Sequence, residues 1–291
     1  MRSPVEIREP AVAGAFYPGT EAALRRDVEQ MLSKAAPPRV EGEIIALISP
    51  HAGYVYSGLV AAHGYKLLKG KSYDDVIIVA PSHHAYFKGS SIYSRGPYRT
   101  PLGLVEVDRN LCEAIMAADD LIDYYPQAHL REHSLEVQLP FLQVVLDSLR
   151  IVPIIMGDQS YQNCVRLADA IVSNVKGRKV LLVASSDLSH YHDYDSAVRL
   201  DSIVIDHVQK YDYKGLAEDV EKRRCEACGG GPMVTVMMAA QKLGATEAVI
   251  LKYANSGDVT GDKSGVVGYL SAALVSEEED EETKSEQTGH V

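Results

Sequence analysis

Three runs of five apolar residues limit what this chain can fold into: Ile44-Ile45-Ala46-Leu47-Ile48, Val76-Ile77-Ile78-Val79-Ala80 and Val180-Leu181-Leu182-Val183-Ala184. Each is short, aliphatic and free of polar alternation, so each reads as a strand buried on both faces, as in a parallel sheet covered by helices. Each also ends in the same way. The first runs into Ser49-Pro50-His51-Ala52-Gly53-Tyr54, the second into Pro81-Ser82-His83-His84, and the third into Ser185-Ser186-Asp187-Leu188-Ser189-His190-Tyr191. Open α/β sheets place ligands in the crevice outside the carboxyl ends of their strands. Three buried strands are therefore expected to deliver three histidines to one edge.

Helical patterns alternate with these strands. Thr20 is a plausible N-cap for a helix with Leu24, Val28, Met31 and Leu32 on one face, ended by Pro37-Pro38. Further helices are expected from about Ser57 to Leu68, Asn110 to Ala117, Ser134 to Leu149, Val165 to Val175, Asp195 to Lys210 and Tyr213 to Arg224, with another after the loop Cys225 to Pro232. Ser90 to Val107 reads as a small antiparallel excursion, and the Ile151 strand, interrupted by Pro153, as an edge or an irregular start. Ala248 to Tyr253 and Gly265 to Leu270 close the pattern as two strands. The expectation is an α/β protein with a mostly parallel or mixed central sheet and helices on both faces. No linker interrupts residues 1–275, so a single α/β domain is expected there, followed by a disordered acidic tail over 276–291.

Charge supports that division. The net charge is −11, and Ser276 to Val291 carries seven acids against one lysine, so six of those eleven charges lie in the tail. An acidic chain has no affinity for nucleic acid or anionic membranes through charge alone. No apolar stretch approaches the ~20 residues of a spanning helix. The segment Met1 to Glu6 lacks the apolar centre of a signal peptide, so a cytoplasmic protein is expected. Four scattered cysteines make no disulfide scaffold, and Cys112 and Cys164 fall in helical patterns as small buried hydrophobes.

Imidazoles gathered in a semi-buried crevice point to a metal or to acid/base chemistry. Cys225-Glu226-Ala227-Cys228-Gly229-Gly230-Gly231-Pro232 lacks the second ligand pair of a structural zinc site and the preceding strand of a thioredoxin-like motif. Cys228 opens a glycine run before a helix, and its thiolate could complete a metal site begun by two imidazoles. The loop Gly257 to Asp262 matches neither an EF-hand nor a P-loop and reads as a tight connection; no nucleotide cofactor is expected. His63, between Val60 and Leu67, reads as a packed helix residue, and no motif surrounds His129, His192 or His207.

At these residues the sequence resembles the Memo family. The likeness runs through Ala13-Gly14-Ala15-Phe16-Tyr17, Pro50-His51-Ala52-Gly53-Tyr54-Val55-Tyr56-Ser57-Gly58, Pro81-Ser82-His83-His84, Tyr98-Arg99-Thr100-Pro101-Leu102, Glu132-His133-Ser134-Leu135-Glu136, Ser185-Ser186-Asp187 with His190, and Cys228-Gly229 with Pro232. That family is similar in fold to the catalytic subunit of class III extradiol ring-cleaving dioxygenases, which hold non-haem Fe(II) by two histidines and a carboxylate. The resemblance implies that His51, His83 and Cys228 bind a metal and that Asp187 and His190 are the remaining polar site residues. It also places His133 near substrate, with Phe16, Tyr56 and His84 on the substrate side. Family members commonly carry tryptophan at position 16, whereas this chain has none.

Replacing the carboxylate of the dioxygenase triad by thiolate softens the site and suits Fe(II), Cu(I) or Zn(II). Two functions follow as expectations. The first is a metal-dependent, dioxygenase-like redox enzyme in which His190 moves protons and Asp187 orients it or joins the metal. The second is a non-catalytic module that captures a small molecule, a peptide or a phosphorylated ligand in the same crevice. A cysteine hydrolase pairing Cys228 with His190 is a third. The resemblance also links the chain to a radical SAM protein and an AMMECR-type protein, and it is compatible with an oligomer.

Overall fold

The computed structural model describes residues 6–277. Its strands are β1 (Glu43–Ser49), β2 (Asp75–Pro81), β3 (Ser90–Ile92), β4 (Tyr98–Thr100), β5 (Gly103–Val107), β6 (Ile122–Asp123), β7 (Arg150–Met156), β8 (Val180–Ser185), β9 (Asp187–His192), β10 (Glu247–Asn255) and β11 (Val266–Ser276). Its helices are α1 (Glu21–Lys34), α2 (Tyr54–Lys66), α3 (Arg109–Met116), α4 (Pro126–Leu130), α5 (Leu139–Val145), α6 (Tyr161–Asn174), α7 (Tyr194–Gln209), α8 (Tyr213–Glu221), α9 (Gly230–Lys242) and α10 (Ser256–Thr260). Among the described residues the strands form one mixed sheet, whose main path runs β10-β11-β1-β8-β2-β7-β3-β6.

The three apolar runs are β1, β8 and β2, side by side and parallel, with Leu47 opposite Val183 and Val79 opposite Ala184. Glu43 is the one exposed residue in the three strands. Strands buried this completely need cover on both faces. Helix α2 packs on β1, β10 and β11, while α9 packs on β1, β2 and β8. The expected antiparallel excursion is present as the β4–β5 hairpin, with Tyr98 opposite Val105. No helix among the described residues is long and apolar enough to cross a membrane.

Several boundaries differ from the sequence expectation. Strand β7 is interior, flanked by β2 on one side and by β5 and β3 on the other. Pro153 is tolerated there because it falls in the gap where the second neighbour changes. Strand β5 pairs through Arg150 and Ile151, β3 from Ile154 onward, and the Pro153 carbonyl accepts from the Tyr93 N–H at 3.2 Å. The missing proline N–H thus interrupts no ladder bond. The region after Ser134 makes only a 3₁₀ turn (Glu136–Gln138) and α5, with Pro140 in the first turn of that helix. Helix α2 starts at Tyr54, directly out of the histidine loop, and its first N–H is satisfied by the Phe16 carbonyl at 2.7 Å. Thr20 occupies the N-cap of α1 without a side-chain bond, and that helix ends at Lys34 rather than at the prolines. Strand β11 runs to Ser276, and the acidic tail beyond Glu277 lies outside the described residues.

The N-terminal segment is tied down by one buried carboxylate. Glu136 is fully buried, ion-paired with Arg8, and accepts from Ala11 N (2.8 Å), Val12 N (3.1 Å) and the Tyr17 hydroxyl (2.5 Å). Removing its charge would strand the buried Arg8 guanidinium, a loss of about 3–5 kcal/mol for pairs of this kind. Glu136→Gln is therefore expected to lower the unfolding free energy from urea titration by that amount, through a lower midpoint with an unchanged slope. A loss below about 1 kcal/mol would mean that the segment is held by other contacts.

Candidate metal centre

Because β8 lies between β1 and β2, the loops after β1 and β2 leave the sheet one strand apart. They carry His51 and His83, whose ring centroids are 5.2 Å apart. Cys228 arrives from the other side of the sequence, in the loop before α9. Its N–H donates to the Asp187 carbonyl (3.2 Å) and its carbonyl accepts from Gln159 Nε2 (2.8 Å), while Gly229 N donates to Ser186 Oγ (2.9 Å). Only glycine fits after Cys228, since a Cβ on Gly229 would lie 2.2 Å from the Ser185 carbonyl oxygen. The result places one atom each of His51, His83 and Cys228 within 4.8 Å of one another, with His51 Nε2 3.2 Å from Cys228 Sγ.

Hydrogen bonds decide which nitrogen each imidazole presents. His51 Nδ1 lies 2.8 Å from Ser185 Oγ, whose single proton goes to the Ser134 carbonyl at 2.6 Å. Ser185 also accepts from Gln138 Nε2 at 2.9 Å. His51 Nδ1 must therefore donate, leaving the Nε2 lone pair facing Cys228. His83 Nδ1 donates to Glu132 Oε1 at 2.9 Å, which likewise leaves its Nε2 free. Glu132 is buried yet accepts four bonds, the others from His83 N (2.6 Å), His133 N (2.9 Å) and Ser134 N (2.9 Å). Burial opposes its charge, but the His83 ring and these donors outweigh burial and hold its pKa well below the usual carboxylate range. A carboxylate behind a ligand histidine is the arrangement that orients metal-binding imidazoles. His83, Glu132 and His133 also form a second three-membered group of ligand type, but the four bonds on Glu132 make it a support of His83.

Electrostatics match this picture. Burial, followed by the neighbouring His83 and His133, pushes the pKa of His51 far down, so its ring is neutral. His83 resists burial through Glu132 and its pKa is raised. Burial and the Asp187 charge push the Cys228 thiol far up, so a thiolate there needs a cation beside it. Two free Nε2 lone pairs and a sulfur that ionises only against positive charge form a donor set that fits a soft or borderline divalent metal.

The other expected residues are placed as follows. His133 stacks on His83 with centroids 4.8 Å apart, and burial lowers its pKa to about 4. Phe16 meets the His133 ring at 4.8 Å, and Phe16 and Tyr56 line a cavity of about 780 Å³ that His51 and His83 also line, whereas Cys228 is not among its lining residues. His190 and Asp187 line it too. His190 Nδ1 bonds the Leu188 carbonyl at 2.8 Å, whereas Asp187 Oδ1 accepts from His51 N at 2.7 Å and so fastens the His51 loop rather than the His190 ring. Burial raises the Asp187 pKa to about 7 against the His51 and Ala52 backbone donors. His84 is exposed, 6.3 Å from His133 between centroids, and is not among the residues lining the cavity. Cys112 and Cys164 are buried in the core, and His63 is bonded within α2. The Gly257 to Asp262 stretch overlaps the short capped α10, and Ser256, Thr260 and Asp262 line the cavity. Sequence reasoning did not single out Glu132, Ser185 or Gln138. The first two were quoted within the motifs that carry the family resemblance, without a role, and that placement was the available signal.

Fold and site together define an α/β protein with a candidate two-histidine, one-cysteine metal centre at the carboxyl edge of a mixed sheet. The chain belongs to the Memo family: the profile described as Memo-like protein matches residues 8–273. It is 40% identical over 279 residues to a MEMO1 family protein of Sulfurisphaera tokodaii, covering 91% of this chain and 98% of the relative. It is 42% identical over 272 residues to one of Methanothermobacter thermautotrophicus (90% and 98%), and 39% identical over 269 residues to one of Nitrosopumilus maritimus (90% and 98%).

The close fit of Gly229 makes a prediction. Gly229→Ala is expected to cost about 1–3 kcal/mol in chemical denaturation, the usual range for overpacking a filled site. An unchanged midpoint would mean that the Cys228 loop is free to move away from Ser185.

Proposed function

We propose that the protein is a metal-dependent redox enzyme in which His51 and His83, through Nε2, and Cys228, through Sγ, hold a divalent metal. Fe(II) is the first choice, with copper or zinc next. The observation that carries this reading is the pair of imidazoles whose Nδ1 atoms are both engaged, leaving Nε2 free on each, in one cluster with a thiol that lies 3.2 Å from His51 Nε2. A metal bound there supplies Lewis-acid and electron-transfer chemistry to a ligand in the cavity. The chain itself supplies the rest. Ser185 and Glu132 fix the two imidazoles, and Asp187 holds the loop of the first. His190, with Nδ1 engaged by Leu188 and its pKa lowered chiefly by burial, is neutral near pH 7 and offers Nε2 as a proton acceptor. Phe16 and His133, in ring contact, add apolar and aromatic surface to the cavity beside the site.

A second reading, capture of a longer ligand without turnover, draws on a neighbouring cavity of about 560 Å³ that shares Ala15, Phe16 and Val55 with the first. Elemental analysis of untagged protein purified anaerobically, beside a His51→Ala/His83→Ala variant, separates the two. Stoichiometric iron or copper in the parent and none in the variant is the expected result. No metal in either, even after reconstitution with Fe(II), Cu(I) and Zn(II), would leave the binding module as the better reading. Glu132→Gln is expected to weaken metal binding by about 10–100-fold, the usual loss when the partner of a ligand histidine is removed. Unchanged affinity would show that Glu132 serves the fold alone.

A further inference from the structure

Among the described residues, three that are not glycine hold a left-handed backbone: Tyr191 (φ 62°), Tyr211 (φ 56°) and Arg223 (φ 54°). This conformation crowds the Cβ of an L residue. Two of the three are explained by helix ends. Tyr211 follows the C-cap of α7 and Arg223 that of α8, and in each case the next residue donates back to a carbonyl five residues earlier, as helix terminations require. Tyr191 ends no helix. It lies within β9, where the pairing with β11 steps from His192 opposite Val266 to His190 opposite Val267, so that Tyr191 is the extra residue of a β-bulge.

Glycine would take that backbone conformation without strain. The tyrosine ring is not there to fill the core, because the residue is 80% exposed. It does line the cavity, with its ring centroid 5.8 Å from that of His190. Bulges beside functional sites re-aim a side chain, and strain kept at such a place is characteristic of residues that serve a ligand. We propose that Tyr191 is a ligand-contacting residue whose ring stacks on a flat aromatic group of the substrate. Tyr56, 41% exposed on another wall, adds a second aromatic surface to the same cavity. The proposal rests on the cavity being the substrate site, but stacking on Tyr191 needs no metal.

Three bicyclic probes test it by calorimetric titration of the full chain: 2-naphthol (flat, poorly chelating), 2,3-dihydroxynaphthalene (flat, chelating) and decahydro-2-naphthol (the saturated skeleton). The parent and Tyr191→Phe are expected to bind both flat probes alike and the saturated one at least about tenfold more weakly, the scale of one stacking contact. Tyr191→Ala and Tyr191→Gly should each lose about tenfold for both flat probes. Without probe, Tyr191→Gly should melt about 2–4 °C above Tyr191→Ala, since only glycine relieves the backbone. At an unstrained strand position the order is reversed. Flat and saturated probes bound equally by the parent, flat probes bound equally by parent and Tyr191→Ala, or a glycine variant melting below the alanine one would each overturn the proposal. The His51→Ala/His83→Ala variant should lose affinity for the diol alone. Undiminished diol binding there would count against the metal reading and leave Tyr191 in place.

Discussion

Glu132 and Glu136 are buried four residues apart, and each offsets the cost of leaving water by collecting donors from parts of the chain that would otherwise be independent. Glu132 takes the His83 ring and its backbone N–H, while Glu136 takes Arg8, Tyr17 and two N–H groups of the N-terminal segment. Between and after them, the Ser134 carbonyl and Gln138 amide fix Ser185 and, through it, His51. Seven consecutive residues thus orient both imidazoles and seat Phe16 over them. The strands set where the loops emerge, and this segment sets which atoms those loops present.

The parts legible in the sequence are those governed by local pattern. Three aliphatic runs leading into His51, His83 and the Asp187–His190 stretch could be read as parallel strands delivering polar residues to one edge, because burial on both faces leaves no polar residue in the run. The neighbour order β1-β8-β2 was not legible, although it is what brings the two loops together. Pro153 suggested an edge because a proline in isolation says only that an N–H is missing. That the missing donor falls at a change of neighbour is a tertiary fact. The helix expected from Ser134 was misjudged for a similar reason, since polar residues with interior partners resemble the exposed face of an amphipathic helix.

The same limit explains the site. Cys228 was visible through the glycine run after it, but the reason for Gly229, a carbonyl on another strand, was not. Asp187 was found as a residue, whereas its attachment to the His51 backbone depends on where β9 starts beside the loop after β1. Glu132 was quoted within a motif of the resemblance but given no role, because nothing in a linear chain shows that this glutamate is closed off from water. His84 had the opposite fate: adjacent to His83 in sequence and within the same bend, it is exposed and does not line the cavity.

His51 and Cys228 are separated by 177 positions, with His83 on a third element between them. Loop-closure entropy makes contacts of such long range among the last to become favourable. During synthesis the two histidines emerge well before the cysteine and the strand β11 that borders β1. A nascent or proteolytically shortened chain therefore carries the imidazoles without the pocket. The three-atom cluster therefore comes together only when segments 177 positions apart have met, which ties the candidate site to completion of the fold.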